Sequence, residues 1–329
     1  GRLVGPDLVV RGAAIDSRLV TGGELFVPVV AARDGHDFVG AALAAGAVAY
    51  LTARPLGEGA PGPGVAAIEV GDTVAALGDI GRLARGRLPD RVVGVTGSVG
   101  KTSVKDLLAA ALGARWSTTA SAGSFNNELG VPLTLLAAGD ATEALVVEMG
   151  ARGRGHIAAL CAIVRPTVGV ITTVAAAHTA MFGSLDEVAA AKGELVEALD
   201  ATGVAVLNAD DPRVAGMATR TAARLVRYGS APDADVRAEG ARFDGDLRPR
   251  FRLVSPWGAA DVALAVRGER MVGTALAAAA AALACDVPVD AVVAGLGKAE
   301  LSSWRMELVR LPSGARVLKF GYTRDHVVS

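Results

Sequence analysis

The chain has 329 residues, 51% of them hydrophobic and 20% charged, with a formal net charge of -1. The length points to two domains, and the apolar content is enough for filled cores, which excludes a disordered chain. No basic excess suggests nucleic acid or an acidic membrane surface as a partner, and aromatics at 4% leave little for base stacking.

Residues 1–88 read as a small α/β unit. ELFVPVV (Glu24–Val30) reads as a strand, and Asp37–Thr52 as a helix stopped at Gly46 and followed by a strand. Ala53–Gly64 is dense in turn formers and reads as a surface loop. A helix is expected over Thr73–Leu88, ended by Pro89. From Arg91 the pattern becomes strand, loop, helix, repeated. RVVGV (Arg91–Val95), Ala144–Met149, Val168–Val174 and Gly203–Asn208 are the strand candidates. Short β-rich runs alternating with helical ones imply βαβ units and a mostly parallel sheet, with ligands at the carboxyl ends of its strands. Beyond about residue 225 the pattern is less regular and suggests antiparallel strands. ALAAAAAALA (Ala275–Ala284) is good helix, too short to span a bilayer. Cys161 and Cys285 have no metal spacing and read as buried free thiols of a cytoplasmic protein, in keeping with the lack of a visible signal peptide.

The most informative stretch is GVTGSVGKTSVK, Gly94–Lys105. It follows a strand and opens the helix KTSVKDLLAAAL, the context a phosphate-binding loop requires. Glycines let the backbone approach an anion, and N–H groups at the helix start point at it. Gly97, Ser98, Gly100, Lys101, Thr102 and Ser103 are therefore the expected nucleotide contacts. Lys101 would reach the β/γ-phosphates and Thr102 would sit on Mg²⁺. The strict spacing G-x-x-x-x-G-K-[ST] would place glycine at Val95, and here glycines stand at 94 and 97 instead. No N-K-x-D guanine motif occurs, which favours ATP over GTP.

Three further residues belong to the same sheet edge. Glu148 ends a strand, either as a surface acid or as a holder of Mg²⁺. His178 lies just past the strand Val168–Val174, and a lone histidine is either structural or functional. Ser184 and Glu187 form a capping-box pattern before the helix Leu185–Asp200. Lys192 falls on that helix's apolar stripe between Val188 and Leu195. A lysine there either snorkels its charge outward or is shifted toward neutral and used chemically.

Taken together these segments resemble the Mur ligase family, within it the branch that joins D-alanyl-D-alanine to UDP-N-acetylmuramoyl-tripeptide. The resemblance runs from residue 1 to about 310. It rests on DSRLVTGGELFVPV, DGHDF, the phosphate loop, SFNNELGVPLTLL, VVEMGARGRGHIAAL, AHTAMFGSLDEVAAAKGEL, LNADDPRVAGMA and WRME. It implies an N-terminal UDP-sugar-binding domain over 1–88 and a central ATP-binding domain over 89–314. It also implies a cytoplasmic monomer and an acyl-phosphate mechanism with ATP and Mg²⁺. By resemblance Glu148, His178 and Lys192 take part in the metal side, with Lys192 carbamylated. Lys101, Lys192 and His178 are implied in catalysis. Asn126 and Asn127 contact the UDP-peptide, and Ser17, in Asp16-Ser17-Arg18, belongs to the UDP-sugar domain.

The sequence also departs from the family pattern. Thr173 stands where Asn is usual, and Arg270, Met271 and Thr274 replace the His and two Asn of the helix start beside the adenine. The tail VLKFGYTRDHVVS keeps only Tyr322 of the family's run, with Phe320 in place of an Asp. Residues 315–329 therefore read as a remnant of a further domain. A chain without that domain is expected to bind UDP-sugar-peptide and ATP but not to ligate efficiently alone. The alternatives are a non-catalytic nucleotide-binding relative or a Mur ligase adding another amino acid.

Overall fold

The computed structural model describes residues 1–56, 61–176, 182–303, 307–310 and 316–319. In the N-terminal unit, β1 (Arg2–Val4), β2 (Ala13–Ala14), β3 (Leu25–Phe26), β4 (Ala49–Thr52) and β5 (Ala66–Glu69) form one sheet in the order β1-β5-β4-β3-β2. All pairs are parallel except β1 with β5. Helix α1 (Val39–Ala44) stops where expected, because Gly46 takes φ +106. The strand expected over Glu24–Val30 is only Leu25–Phe26. Pro28 offers no N–H for a ladder, and the Val29 carbonyl accepts instead from Gly35 N at 2.9 Å, turning the chain away.

Helix α2 (Thr73–Arg85) begins under Asp72, whose carboxylate accepts from the N–H groups of Val74 and Ala75. It joins the two sheets. Its Leu77 lies in the N-terminal core, and Gly81, one turn further along the same face, meets Pro132 of the central unit. Arg85 is buried, and its guanidinium donates to the carbonyls of Val164 (2.6 Å), Leu88 (3.3 Å) and Arg165 (3.3 Å).

The central unit holds β6 (Val92–Thr96), α3 (Lys101–Gly113), β7 (Thr118–Ala120), α4 (Gly130–Ala137), β8 (Ala144–Glu148), α5 (His156–Val164) and β9 (Val168–Ile171). It continues with α6 (Leu185–Glu197), β10 (Val204–Asn208), α7 (Pro212–Ala215) and β11 (Arg224–Tyr228). Its sheet has the order β11-β10-β9-β6-β8-β7, with every pair parallel. Both faces are covered, and the inner strands are apolar on both sides. Val93 and Val95 face a core with α3, while Val92 faces a core with α4 and α5. The chain runs outward from β6 to β7 and back, then crosses to β9. That reversal beside β6 is where an open parallel sheet binds ligands.

The irregular region beyond residue 225 contains the expected antiparallel strands, β12 (Arg237–Phe243), β13 (Pro249–Ser255) and β14 (Gly258–Ala263). They share a core with α8 (Met271–Ala284), whose alanines from Ala275 to Ala282 are buried, and with α9 (Val289–Lys298). A hairpin of β15 (Glu307–Arg310) and β16 (Arg316–Lys319) follows. The expected boundary at 314/315 lies outside the described residues. The expected boundary near residue 88 falls between α2 and β6. Trp304, Phe320 and Tyr322 lie outside the described residues, as do positions 57–60 of the expected loop.

Arg85→Leu should cost about 2–3 kcal/mol of stability, since one buried and two part-buried carbonyls lose a charged donor. Urea denaturation of the variant beside the parent chain measures this.

Candidate active site

The site begins where β6 ends. Gly97 takes φ +145, and a Cβ there would overlap the Thr172 hydroxyl, so residue 97 must be glycine. The strand expected to run to Val174 instead ends at Ile171, because its continuation is given to the loop. Thr172 Oγ1 donates to Val99 O at 2.6 Å, Ser98 N donates to Thr173 O at 2.8 Å, and Ala175 N donates to Ser98 Oγ at 3.0 Å. On the other side Thr96 Oγ1 donates to Met149 O at 2.8 Å. The loop is thus held from both flanking strands by its own chain.

Gly100, at φ +88, opens α3 without a side-chain cap, and the N–H groups of such a helix start point toward an anion. Lys101 lies back over the loop, its Nζ 3.0 Å from Gly97 O. Thr102 and Ser103 are buried on the first turn.

Asn126 and Asn127 come from the turn before α4. Asn127 Oδ1 accepts from Leu129 N (3.3 Å) and Gly130 N (2.9 Å), so one end of its amide shapes the start of that helix. Asn126 Nδ2 donates to Glu148 Oε1 at 2.8 Å. Glu148 is 1% exposed, and its Oε2 is buried without a hydrogen-bond partner. A buried carboxylate oxygen with no donor fits a cation. Among the described residues no three His, Cys, Asp or Glu side chains gather as a metal cluster. Mg²⁺ is commonly held by one or two carboxylates together with substrate phosphates.

Lys192 is 4% exposed on α6, on the stripe with Val188 and Leu195. Of the two readings open from the sequence, snorkelling is ruled out by this burial. Its Nζ lies 5.9 Å from the Phe182 ring centroid. Burial pushes its pKa down to about 7, and the charge of Lys101 adds to this, while Glu194 and Glu148 act in the opposite sense. The capping box is half realised. Ser184 Oγ accepts from Glu187 N at 3.2 Å, but the Glu187 carboxylate turns to Arg154, 2.6 Å away.

One cleft is lined by Gly97, Ser98, Lys101, Asn126, Asn127 and Lys192. Sequence reasoning missed its other wall, which includes Glu128, Gly150, Arg152, His156 and Phe182. The segment from Gly150 to Arg152 follows the carboxyl end of β8, so the strand-end rule was the signal available. Ser17 does not line this cleft. It sits in the N-terminal unit, in a turn fixed by Asp16, which accepts from Arg18 N at 3.0 Å. Thr173 Oγ1 is buried with no hydrogen-bond partner. Arg270 precedes α8, and Thr274 Oγ1 donates to its carbonyl at 3.0 Å. His178 lies outside the described residues.

The profile of the Mur ligase middle domain matches residues 95–282, more than half of the chain and all of this cleft. The chain belongs to the Mur ligase family. It is 43% identical, over 94% of its length, to UDP-N-acetylmuramoyl-tripeptide–D-alanyl-D-alanine ligase of Mycobacterium tuberculosis, and covers 64% of that relative. The chain thus spans slightly less than two thirds of the length of that relative. Its fold matches MurF from Acinetobacter baumannii with a TM-score of 0.86 at 29% identity, over 97% of this chain and 69% of that one. It matches MurF ligase from Thermotoga maritima in complex with ADP at 0.80 and 27%, over 95% and 71%.

The depressed pKa of Lys192 carries a pH signature. Its ordinary value is 10.5, so between about pH 7 and 10 the unfolded chain holds a proton that the folded one lacks. The lysine therefore penalises folding below about pH 7, and that penalty fades as the pH rises toward 10. Lys192→Met should remove this rise, read from denaturation midpoints across about pH 6 to 9.

Proposed function

We propose that this chain carries the ATP- and UDP-peptide-binding part of a ligase that joins D-alanyl-D-alanine to UDP-N-acetylmuramoyl-tripeptide. The observation that carries the reading is the meeting of the phosphate loop, Asn126 and buried Lys192 at one cleft, with Glu148 held buried behind Asn126. The names of the curated relatives support it, as does the complex of the Thermotoga maritima ligase with ADP.

The loop N–H groups and Lys101 orient the terminal phosphate of ATP. The peptide carboxylate attacks the γ-phosphorus, the bond to ADP breaks, and an acyl phosphate results. The amine of the dipeptide then attacks the acyl carbon, phosphate leaves, and the nitrogen loses a proton. A free carboxylate is a poor electrophile, so the first transfer supplies the leaving group for the second. Mg²⁺, when bound, neutralises charge on the phosphate oxygens, and Glu148 Oε2 with the Thr102 hydroxyl would hold it. His178 is assigned to the same side from the sequence resemblance.

Lys192 is read as carbamylated. With its pKa near 7 a large share of the amine is neutral and nucleophilic at physiological pH, and addition of CO₂ exchanges a buried cation for an anion that can face a metal. From the sequence resemblance we assign Asn126 and Asn127 to the UDP-peptide, and Ser17 to the UDP-sugar. We place the reaction in the cytoplasm, with ATP and UDP-linked precursors.

Calorimetry with UDP-N-acetylmuramoyl-tripeptide and a non-hydrolysable ATP analogue, with ADP release on adding ATP and D-alanyl-D-alanine, tests the reading. The tripeptide and Mg²⁺-nucleotide should bind, and Glu148→Gln should weaken the Mg²⁺-nucleotide at least about tenfold. Intact mass under CO₂ should show one added CO₂, absent from Lys192→Met. Preference for the UDP-dipeptide would instead assign the chain to another amino-acid-adding ligase of the family.

A further inference from the structure

A second buried lysine lies one helical turn beyond the phosphate loop. Lys105, on α3, is 3% exposed. Its Nζ donates to Ser121 O (2.8 Å) and Gly123 O (2.9 Å) and pairs with Asp106 Oδ1 at 2.9 Å. An ammonium has three donors, so this one is saturated and has no capacity left for a phosphate. Asp106 is held in turn, accepting from Ser302 N at 2.8 Å and Ser302 Oγ at 3.0 Å.

The residues Lys105 grips lead directly to Glu148. Ser121 is 2% exposed, and its Oγ accepts from Glu148 N at 3.1 Å and from Thr134 Oγ1 at 3.3 Å. The same loop continues to Asn126, which holds Glu148 Oε1. Both the backbone and the carboxylate of Glu148 are therefore fixed by the segment 121–126, and Lys105 fixes the start of that segment to the phosphate-loop helix.

We propose that Lys105 is a positioning residue for the cation side of the site. It acts through Ser121 to hold the free oxygen of Glu148 in register with the first turn of α3. The cation must meet Glu148 and the nucleotide phosphates together, and these are carried by different strands. A fixed link between α3 and the end of β7 keeps the two halves at one separation. Loss of the link costs cation affinity, while the phosphate loop, held separately by Thr172 and Thr96, keeps its grip on nucleotide. This rests on the reading of the loop as a Mg²⁺-nucleotide site.

The test titrates Mg²⁺ against binding of a non-hydrolysable ATP analogue to the whole chain. Lys105→Met should raise the Mg²⁺ concentration for half-maximal enhancement about tenfold. Metal-free nucleotide affinity should stay within about twofold, and Lys105→Arg should recover much of the loss. A purely structural lysine would lower the melting temperature but leave the Mg²⁺ midpoint alone, and that result overturns the proposal. So does an equal loss of metal-free and Mg²⁺-bound affinity. If Lys105→Met does not fold, Ser121→Ala removes only the hydroxyl that accepts from Glu148 N. It should raise the midpoint in the same direction, and an unchanged midpoint overturns the proposal. A parent chain that binds no nucleotide defeats the reading of the loop and the proposal with it. A parent that binds with Mg²⁺, beside variants with unchanged midpoints, defeats the proposal alone.

Discussion

The missing side chain at residue 97 is the constraint on which the site depends. With no Cβ at that position, the end of β6 comes close enough for the Thr172 hydroxyl to lie against it. That approach lets the carbonyl of Thr173 take the Ser98 N–H and lets Thr172 donate to Val99. A loop held in this way has little reorganisation left to do when an anion arrives, which is the advantage of electrostatic preorganisation. The same demand cuts β9 short, since its last residues serve the loop and not the sheet.

Two buried lysines show how neighbours decide the use of one side chain. Lys105 has two carbonyls and a carboxylate within 2.9 Å, so its charge is fully solvated by protein. Lys192 faces an aromatic ring and the charge of Lys101, and its proton is held weakly. Both lie on core-facing helical positions. One is suited to bolt two segments together, the other to be a nucleophile at neutral pH. The cleft gathers side chains from α3, the turn before α4, the end of β8 and α6 around the phosphate loop. Four elements meet there because the strand order reverses beside β6.

The N-terminal sheet is tied to this centre through α2. Arg85 reaches the carbonyls that end α5, and Leu129, Leu133 and Leu136, in and just before α4, pack into the N-terminal core. The turn that carries Asn126 and Asn127 therefore precedes a helix shared by both units. This ties the N-terminal sheet to the turn beside the phosphate loop.

Much of this was legible locally. The phosphate loop, the parallel strands, the stop at Gly46 and the stripe position of Lys192 follow from short-range rules: backbone freedom at glycine, period-2 and period-3.6 burial, and capping. The strand lengths were not, because the Pro28 carbonyl accepts from Thr73 Oγ1 and the Thr172 hydroxyl donates to Val99 O, partners distant in sequence. Nor was Lys105, which reads as a helix lysine until Ser121 and Gly123 are seen beneath it, nor the wall from Gly150 to His156. The sequence by itself determined the family, the loop and the residue types able to hold a phosphate. Only the tertiary structure decided which of them share a cleft, which lysine is saturated and which is buried beside an aromatic ring. Those outcomes depend on burial and on hydrogen-bond partners 16 or more residues away, which no local pattern encodes.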